Sequence, residues 1–130
     1  MRVGFTGTQE GMSQHQKEQF VLKMLELQPT EFHHGDCIGA DSEAHDIVRE
    51  FFPNVKIVVY PPISTKKRAF KQGDEFKKPE SYITRDYKIV DAVEYLIGTP
   101  KTNEEVIRSG TWTTIRYARR IGKPHKVIER

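Results

Sequence analysis

The segment Arg108-Ser109-Gly110-Thr111 contains the residue types that proteins use to hold an anion. Because Gly110 has no side chain, a ligand can approach the backbone closely at that position. A helix predicted to begin at Thr111 would leave unpaired N–H groups in its first turn, and its dipole favours negative charge there. The hydroxyl groups of Ser109 and Thr111 and the guanidinium of Arg108 add donors for a phosphate. An ordinary helix N-cap explains the same residues equally well, so the segment alone does not decide.

Two further loops of small residues follow predicted strands. Thr6-Gly7-Thr8 follows the first strand, and Gly35–Ala40 follows the second. Neither loop matches the dinucleotide fingerprint or the Walker loop, because the glycine spacing is wrong and no Gly-Lys-Ser/Thr follows. The carboxyl ends of parallel strands share one edge of a sheet, and open α/β sheets bind ligands at that edge. The three loops together predict a phosphate-binding edge, with contacts at Thr6, Gly7, Thr8, Gly35, Asp36, Gly39, Asp41, Arg108, Ser109, Gly110 and Thr111.

Histidines and aspartates around the second loop raise the question of a metal site. His33 and His34 point to opposite faces of a strand, and His45, four residues after Asp41, completes no recognised ligand spacing. We therefore interpret the aspartates as helix caps and the histidines as ordinary polar residues, and we expect neither a metal nor another cofactor. Asp36 and Asp41 are alternatively placed to hold ribose hydroxyl groups, as acidic residues after strands do.

Apolar periodicity places these loops in an alternating strand–helix pattern. Strands are predicted at Arg2–Thr6, Glu31–His34, Lys56–Tyr60, Ala92–Ile97 and His125–Ile128. The first helix is predicted to begin near Ser13, which forms a capping box with Gln16, and to end before Pro29. Further helices are predicted from Asp41 or Ser42, as N-cap, to about Phe52, from Ser81 to Asp91, and from Thr111 to about Ile121. This alternation predicts parallel βαβ units. We expect a Rossmann-like three-layer α/β/α sandwich around a mostly parallel sheet of about five strands. Residues 63–80 lack periodicity, which is typical of a functional or mobile segment, and the sequence leaves open whether they close over a ligand.

Composition limits the class of protein. The 130 residues fit one domain covering positions 1–130. No apolar run reaches the length of a membrane span, and no signal-peptide pattern is present, so a cytoplasmic protein is expected. The single cysteine, Cys37, excludes an internal disulfide and is interpreted as a small buried residue and not as a nucleophile.

The net charge of +3 is too mild to indicate nucleic-acid binding by itself. Basic residues nevertheless form two clusters, and most such runs are solvated surfaces. We therefore expect no nucleic-acid partner, with single-stranded DNA binding as the alternative that the clusters leave open. The first cluster comprises Lys66, Lys67, Arg68, Lys71, Lys77 and Lys78, and the second comprises Arg116, Arg119, Arg120 and Lys123.

Several motifs, taken together, resemble the SLOG superfamily, named for the Smf/DNA-processing A and LONELY GUY groups, and are most similar to its small stand-alone YspA-like members. The motifs are Val3–Thr8, His34–Asp41 as a glycine–glycine–x–x–glycine–alanine–aspartate-like loop, Arg85-Asp86, Ile97–Pro100 and Arg108–Thr114. The resemblance implies a Rossmann-like domain that binds or senses a nucleoside phosphate or an ADP-ribose-like ligand. It also implies a homodimer. Trp112, in the last motif, is a candidate for stacking on a base, with core packing as the alternative.

The phosphoribohydrolase branch of this superfamily has the pattern P-G-G-x-G-T-x-x-E with an upstream arginine. Arg85 stands at the matching distance before Pro100, but Lys101–Ser109 is inserted before the glycine, and Thr114 occupies the position of the glutamate. A threonine offers no carboxylate to activate water or to stabilise an oxocarbenium-like centre.

Ligand binding is therefore favoured over catalysis, with N-glycosidic hydrolysis as the alternative. If the chain is a hydrolase, Glu104 or Glu105 in the inserted segment would have to supply the missing carboxylate.

Overall fold

A computed structural model describes residues 1–130, with six strands and four helices that alternate except where the third and fourth strands follow each other directly. The elements are β1 (Arg2–Gly7), α1 (Gln14–Leu27), β2 (Glu31–His34), α2 (Ala40–Phe51), β3 (Lys56–Val59), β4 (Glu75–Phe76), α3 (Tyr82–Ala92), β5 (Tyr95–Thr99), α4 (Gly110–Arg120) and β6 (His125–Val127). All neighbouring strands are parallel, in the order β4-β3-β2-β1-β5-β6. The predicted Rossmann-like α/β/α fold is confirmed, with six strands in place of about five.

One face of the sheet carries the main hydrophobic core. Side chains alternate between the two faces of a strand, so Val3 and Phe5 of β1 share one face. Phe5 packs against Phe20 of α1 and Phe32 of β2, with ring centroids 5.4 and 5.8 Å away. Ala44 and Val48 of α2 belong to the same core cluster, so α1 and α2 both lie on this face.

The opposite face is covered by α3 and α4. Gly4 of β1 lies beneath α3, where an added Cβ would come within 2.9 Å of both Ile89 and Val93. Leu96 of β5 packs with Ala118 of α4 on the same side. A glycine in the central strand therefore lets α3 lie close to the sheet, and this position sets where the N-terminus of α3 meets the sheet edge.

The strand order reverses beside β1. The chain proceeds from β1 to β2 on one side, and it returns to the other side through β5. At such a reversal the loops after the two strands diverge and leave a crevice outside the carboxyl ends. The loops after β1 and β5 therefore frame the place where a ligand site is expected.

Residues 63–80 are fixed to the loop between β2 and α2. The fully buried carboxylate of Asp36 accepts hydrogen bonds from Arg68 Nε and from the backbone N–H of Lys71, both at 2.9 Å. Ile38 N–H donates to the carbonyl of Lys67 at 2.9 Å. The segment also contains β4, which the sequence analysis did not predict, because a two-residue strand is too short to show periodicity.

The helix starts test the predicted caps. The capping box of Ser13 and Gln16 is confirmed. The prediction that Asp41 or Ser42 caps α2 is wrong, because the N-cap is Gly39, which makes no side-chain cap. Gly39 has a φ of +86°, and a Cβ there would collide with the backbone of Gln9, so the close approach of the first loop selects glycine.

The predicted strand Ala92–Ile97 also begins too early, because Ala92 completes α3 and β5 starts at Tyr95.

Candidate ligand site at the carboxyl edge of the sheet

A cavity of about 600 Å³ lies at the carboxyl ends of β1 and β5, where the strand order reverses. Its volume falls within the range typical of small-molecule sites. The structure brings together eight of the residues that the sequence predicted as ligand contacts: Thr6, Gly7, Thr8, Asp41, Arg85, Ser109, Gly110 and Thr111. The first and third predicted loops therefore meet, as the parallel sheet requires.

The start of α4 presents free donors to this cavity. Ser109 is the N-cap, and its Oγ accepts a hydrogen bond from the N–H of Trp112 at 3.1 Å. The preceding N–H groups, those of Gly110 and Thr111, have no acceptor within the chain. A Cβ added to Gly110 would meet no atom within 4 Å. An anion can therefore approach two unpaired N–H groups at the positive end of the helix dipole.

Arg85 lies in the cavity wall, and only 4% of it is exposed. Its Nη1 donates to the carbonyl oxygens of Gly35 and, at 3.2 Å, of Tyr60, at the ends of β2 and β3. Its Nε donates to Asp86 Oδ1 at 2.6 Å. Burial lowers the pKa of Arg85, but the carboxylates of Asp86 and Asp41 outweigh it and raise the pKa above its ordinary value. The guanidinium therefore stays charged.

Gly35 serves this arginine and does not line the cavity. A Cβ at Gly35 would overlap the guanidinium of Arg85. The glycine therefore makes room for the buried cation.

Asp41 presents one free carboxyl oxygen to the cavity. Its Oδ2 accepts hydrogen bonds from the N–H groups of Gly35 at 3.1 Å and of Cys37 at 3.2 Å. Both of these hydrogen bonds go to Oδ2, which leaves Oδ1 without a hydrogen-bond partner in the chain, and only 5% of the residue is exposed. Burial raises the pKa of Asp41 to about 7, while the nearby Arg85 limits the rise. This carboxyl can accept or donate a hydrogen bond to a ligand near neutral pH.

Asp86 lines the cavity, although the sequence analysis named it only within a motif and did not predict it as a ligand contact. Its Oδ1 pairs with Arg85, and its Oδ2 accepts a hydrogen bond from Thr114 Oγ1 at 3.1 Å. Burial raises the pKa of Asp86, while Arg85 opposes the rise. The only signal in the sequence was its place beside Arg85 in the Arg85-Asp86 motif. The other lining residues outside the prediction include Tyr82, Glu10, Cys37, Lys101 and Thr102.

The thiol of Cys37 is buried, as the sequence interpretation expected. Burial raises its pKa to about 11, so the thiolate required of a nucleophile is disfavoured.

Several predicted contacts lie outside the main cavity. Asp36 holds residues 63–80, none of which lines the cavity, and Gly39 caps α2. Arg108 lines a neighbouring cavity between α3 and α4. Trp112 is buried, and its Nε1 donates to the carbonyl of Thr102 at 3.3 Å. The indole therefore anchors the loop before α4 and does not face the cavity as a stacking surface.

Glu104 and Glu105 also lie outside the cavity. Both are exposed, and Glu105 forms ion pairs with Arg119 at 2.6 Å and Arg116 at 3.6 Å. Asp41, which is buried, and Asp86, which is partly buried, line the cavity instead of these glutamates.

Much of the basic surface is paired within the chain. Five of the ten residues in the two basic clusters form ion pairs with carboxylates: Arg68, Lys71, Lys77, Arg116 and Arg119.

No group of three or more histidine, cysteine, aspartate or glutamate side chains is arranged to hold a metal ion. None of the four helices has both the length and the apolar character needed to cross a membrane.

Comparison with known proteins gave no match to any family model, to any curated protein or to any solved structure. The class of protein is thus defined by its geometry, a Rossmann-like α/β domain with a cavity at the reversal of strand order. The similarity to SLOG proteins stays an interpretation of sequence motifs.

Asp41→Asn is expected to reduce the pH dependence of stability. The pKa of Asp41 is about 7 in the folded chain, against about 4 in an unfolded one. Ionisation therefore opposes folding of the wild type increasingly as pH rises from about 4 to about 7. Asparagine keeps an oxygen for the two N–H groups but carries no charge.

Urea unfolding at about pH 5 and about pH 7.5 measures this effect. The stability of the variant relative to wild type should be higher at the upper pH. An equal difference at both pH values would contradict the assignment.

Proposed function

We propose that this chain binds a phosphate-bearing nucleotide or nucleotide-derived small molecule in the main cavity. The observation that carries the proposal is the pair of unpaired N–H groups of Gly110 and Thr111, which open onto a cavity at the strand-order reversal. Backbone N–H groups at a helix start are common phosphate ligands. The unobstructed space above Gly110 supports close approach of the phosphate oxygens.

Asp41 offers a hydrogen-bond acceptor, in contrast to the N–H donors of α4, and this supports a sugar attached to the phosphate. Its free Oδ1 matches a hydroxyl group of a ribose, as acidic residues after strands do in nucleotide sites. Arg85 and Asp86 balance each other's charge in the wall, so the cavity does not repel an anion as two lone carboxylates would. A nucleoside phosphate combines both features that the cavity complements.

Gly110→Leu is expected to weaken binding of AMP by at least about tenfold, because the leucine side chain would occupy the approach to the N–H groups. The fold should persist, since a Cβ at this position meets no atom within 4 Å. Gln14→Leu is the matched control, because Gln14 is the first, exposed residue of α1.

Isothermal titration calorimetry with AMP and ADP, together with a thermal unfolding curve, separates binding from stability. Equal affinities in the Gly110 and Gln14 variants would contradict the phosphate position. Failure of the wild type to bind either nucleotide would contradict the proposed function.

A second function that we propose is hydrolysis of an N-glycosidic bond in the same cavity. Thr114 stands at the glutamate position of the phosphoribohydrolase motif, yet its hydroxyl contacts the carboxylate of Asp86. Asp86 and Asp41 would then form the pair of carboxyl groups that glycoside hydrolysis requires. The C1′–N bond breaks as water adds to C1′, Asp41 protonates the departing base, and Asp86 takes the proton of water.

Release of free base from AMP, followed by chromatography, tests this activity. Asp41→Asn and Asp86→Asn are each expected to lower the rate by at least about a hundredfold. Glu104→Gln and Glu105→Gln make the same chemical change outside the cavity and should leave the rate unchanged. The absence of free base with wild type, or full activity of the Asp86 variant, would exclude hydrolysis by this pair.

A further inference from the structure

A second cavity of about 390 Å³ adjoins the main cavity, between α3 and α4. Tyr82, Asp86 and Gly110 line both cavities. The free N–H of Gly110 therefore lies at the junction, and a ligand held there has two directions in which to extend.

The second cavity, which we call the α3–α4 cavity, has two exposed isoleucines in its lining. Ile107 is 88% exposed and Ile83 is 58% exposed, and both line this cavity. A single exposed isoleucine needs no explanation, but apolar side chains gathered around one depression are typical of a binding surface. Burial of such side chains under a ligand ring would release the water that now covers them.

The aromatic side chains of the α3–α4 cavity are already held in place. Tyr87 stacks on Tyr117 with ring centroids 4.0 Å apart and an interplanar angle of 13°. The guanidinium of Arg85 lies 5.5 Å from the ring centroid of Tyr82. A ring entering the cavity would meet fixed walls, so little side-chain freedom would be lost on binding.

Arg108 adds a positive charge to the lining of this cavity. The side chain is exposed, lines the α3–α4 cavity and forms no ion pair within the chain. Together with the N–H groups of Gly110 and Thr111, it provides donors for more than one phosphate group. The apolar surface and the cation therefore favour a ligand that is anionic at the junction and carries a ring beyond it.

We propose that the α3–α4 cavity binds the second ring-bearing half of a ligand whose two halves are joined through a pyrophosphate. This inference rests on the proposed function, because the first half occupies the main cavity as a nucleoside phosphate. The linking phosphates lie at Gly110, where the two cavities meet. The ligand class is that of dinucleotides with a pyrophosphate bridge.

Calorimetric titration of wild type with ADP and with two adenosines joined by a pyrophosphate tests the proposal. The dinucleotide is expected to bind at least about tenfold more tightly than ADP. The double variant Ile83→Ser/Ile107→Ser should lose most of that difference and keep its affinity for ADP. Both positions are exposed, so the fold should tolerate the change.

The control is Ile63→Ser/Ile121→Ser, which replaces two exposed isoleucines that line neither cavity and should preserve the tenfold preference. If ADP binds but the dinucleotide binds no more tightly, the second subsite is overturned and the proposed function stands. An equal loss of both ligands in the Ile83/Ile107 variant also overturns the subsite. If neither ligand binds wild type, both proposals fail.

Discussion

The buried guanidinium of Arg85 is the interaction on which the carboxyl edge of the sheet depends. A charge that is 96% buried must be paired and hydrogen-bonded, because its desolvation is otherwise too costly. Its partners come from separate parts of the chain: the carbonyl of Gly35 after β2, the carbonyl of Tyr60 after β3, and the carboxylate of Asp86 in α3. One side chain thus fixes α3 against two strand ends and sets the wall of the cavity.

The same cation governs the charge of the site. One guanidinium faces the buried carboxyl of Asp41 and the partly buried carboxyl of Asp86, and desolvation raises the pKa of both. Because the pKa of Asp41 is about 7, this carboxyl carries a proton in about half of the molecules at neutral pH. The protonated state leaves Arg85 balanced by Asp86 alone. An anion at the nearby start of α4 therefore meets a nearly neutral wall, and a hydroxyl group meets a carboxyl that can donate or accept.

Helices and strands with a regular spacing of apolar residues were predictable from the sequence. Features that depend on contacts between distant parts of the chain were not. The strand–helix alternation and the capping box of Ser13 follow from local patterns, and they gave the fold class and the meeting of the first and third loops. Asp41 satisfies the ordinary signal for an N-cap. In the structure, however, the N-cap is Gly39, whose backbone packs against that of Gln9. The carboxyl of Asp41 therefore accepts hydrogen bonds from Gly35 and Cys37 instead. No local pattern contains the contact between Gly39 and Gln9.

The site residues show the same division. Arg85 was predicted from motif resemblance, but its bond to Gly35 spans 50 positions of sequence, so neither that bond nor the role of Asp86 could be derived from spacing. Trp112 has the sequence position of a stacking residue, whereas tertiary packing buries it. Nucleotide binding and membership of the SLOG superfamily stay predictions.

The most direct measurement of the central claim is the amide spectrum of ¹⁵N-labelled protein during titration with AMP. If a phosphate binds at the start of α4, the amide resonances of Gly110 and Thr111 should show the largest saturable shifts, and the Nε–H resonance of Arg85 should move with them. Unchanged resonances at Gly110 and Thr111, with saturable shifts confined to other parts of the chain, would contradict the account.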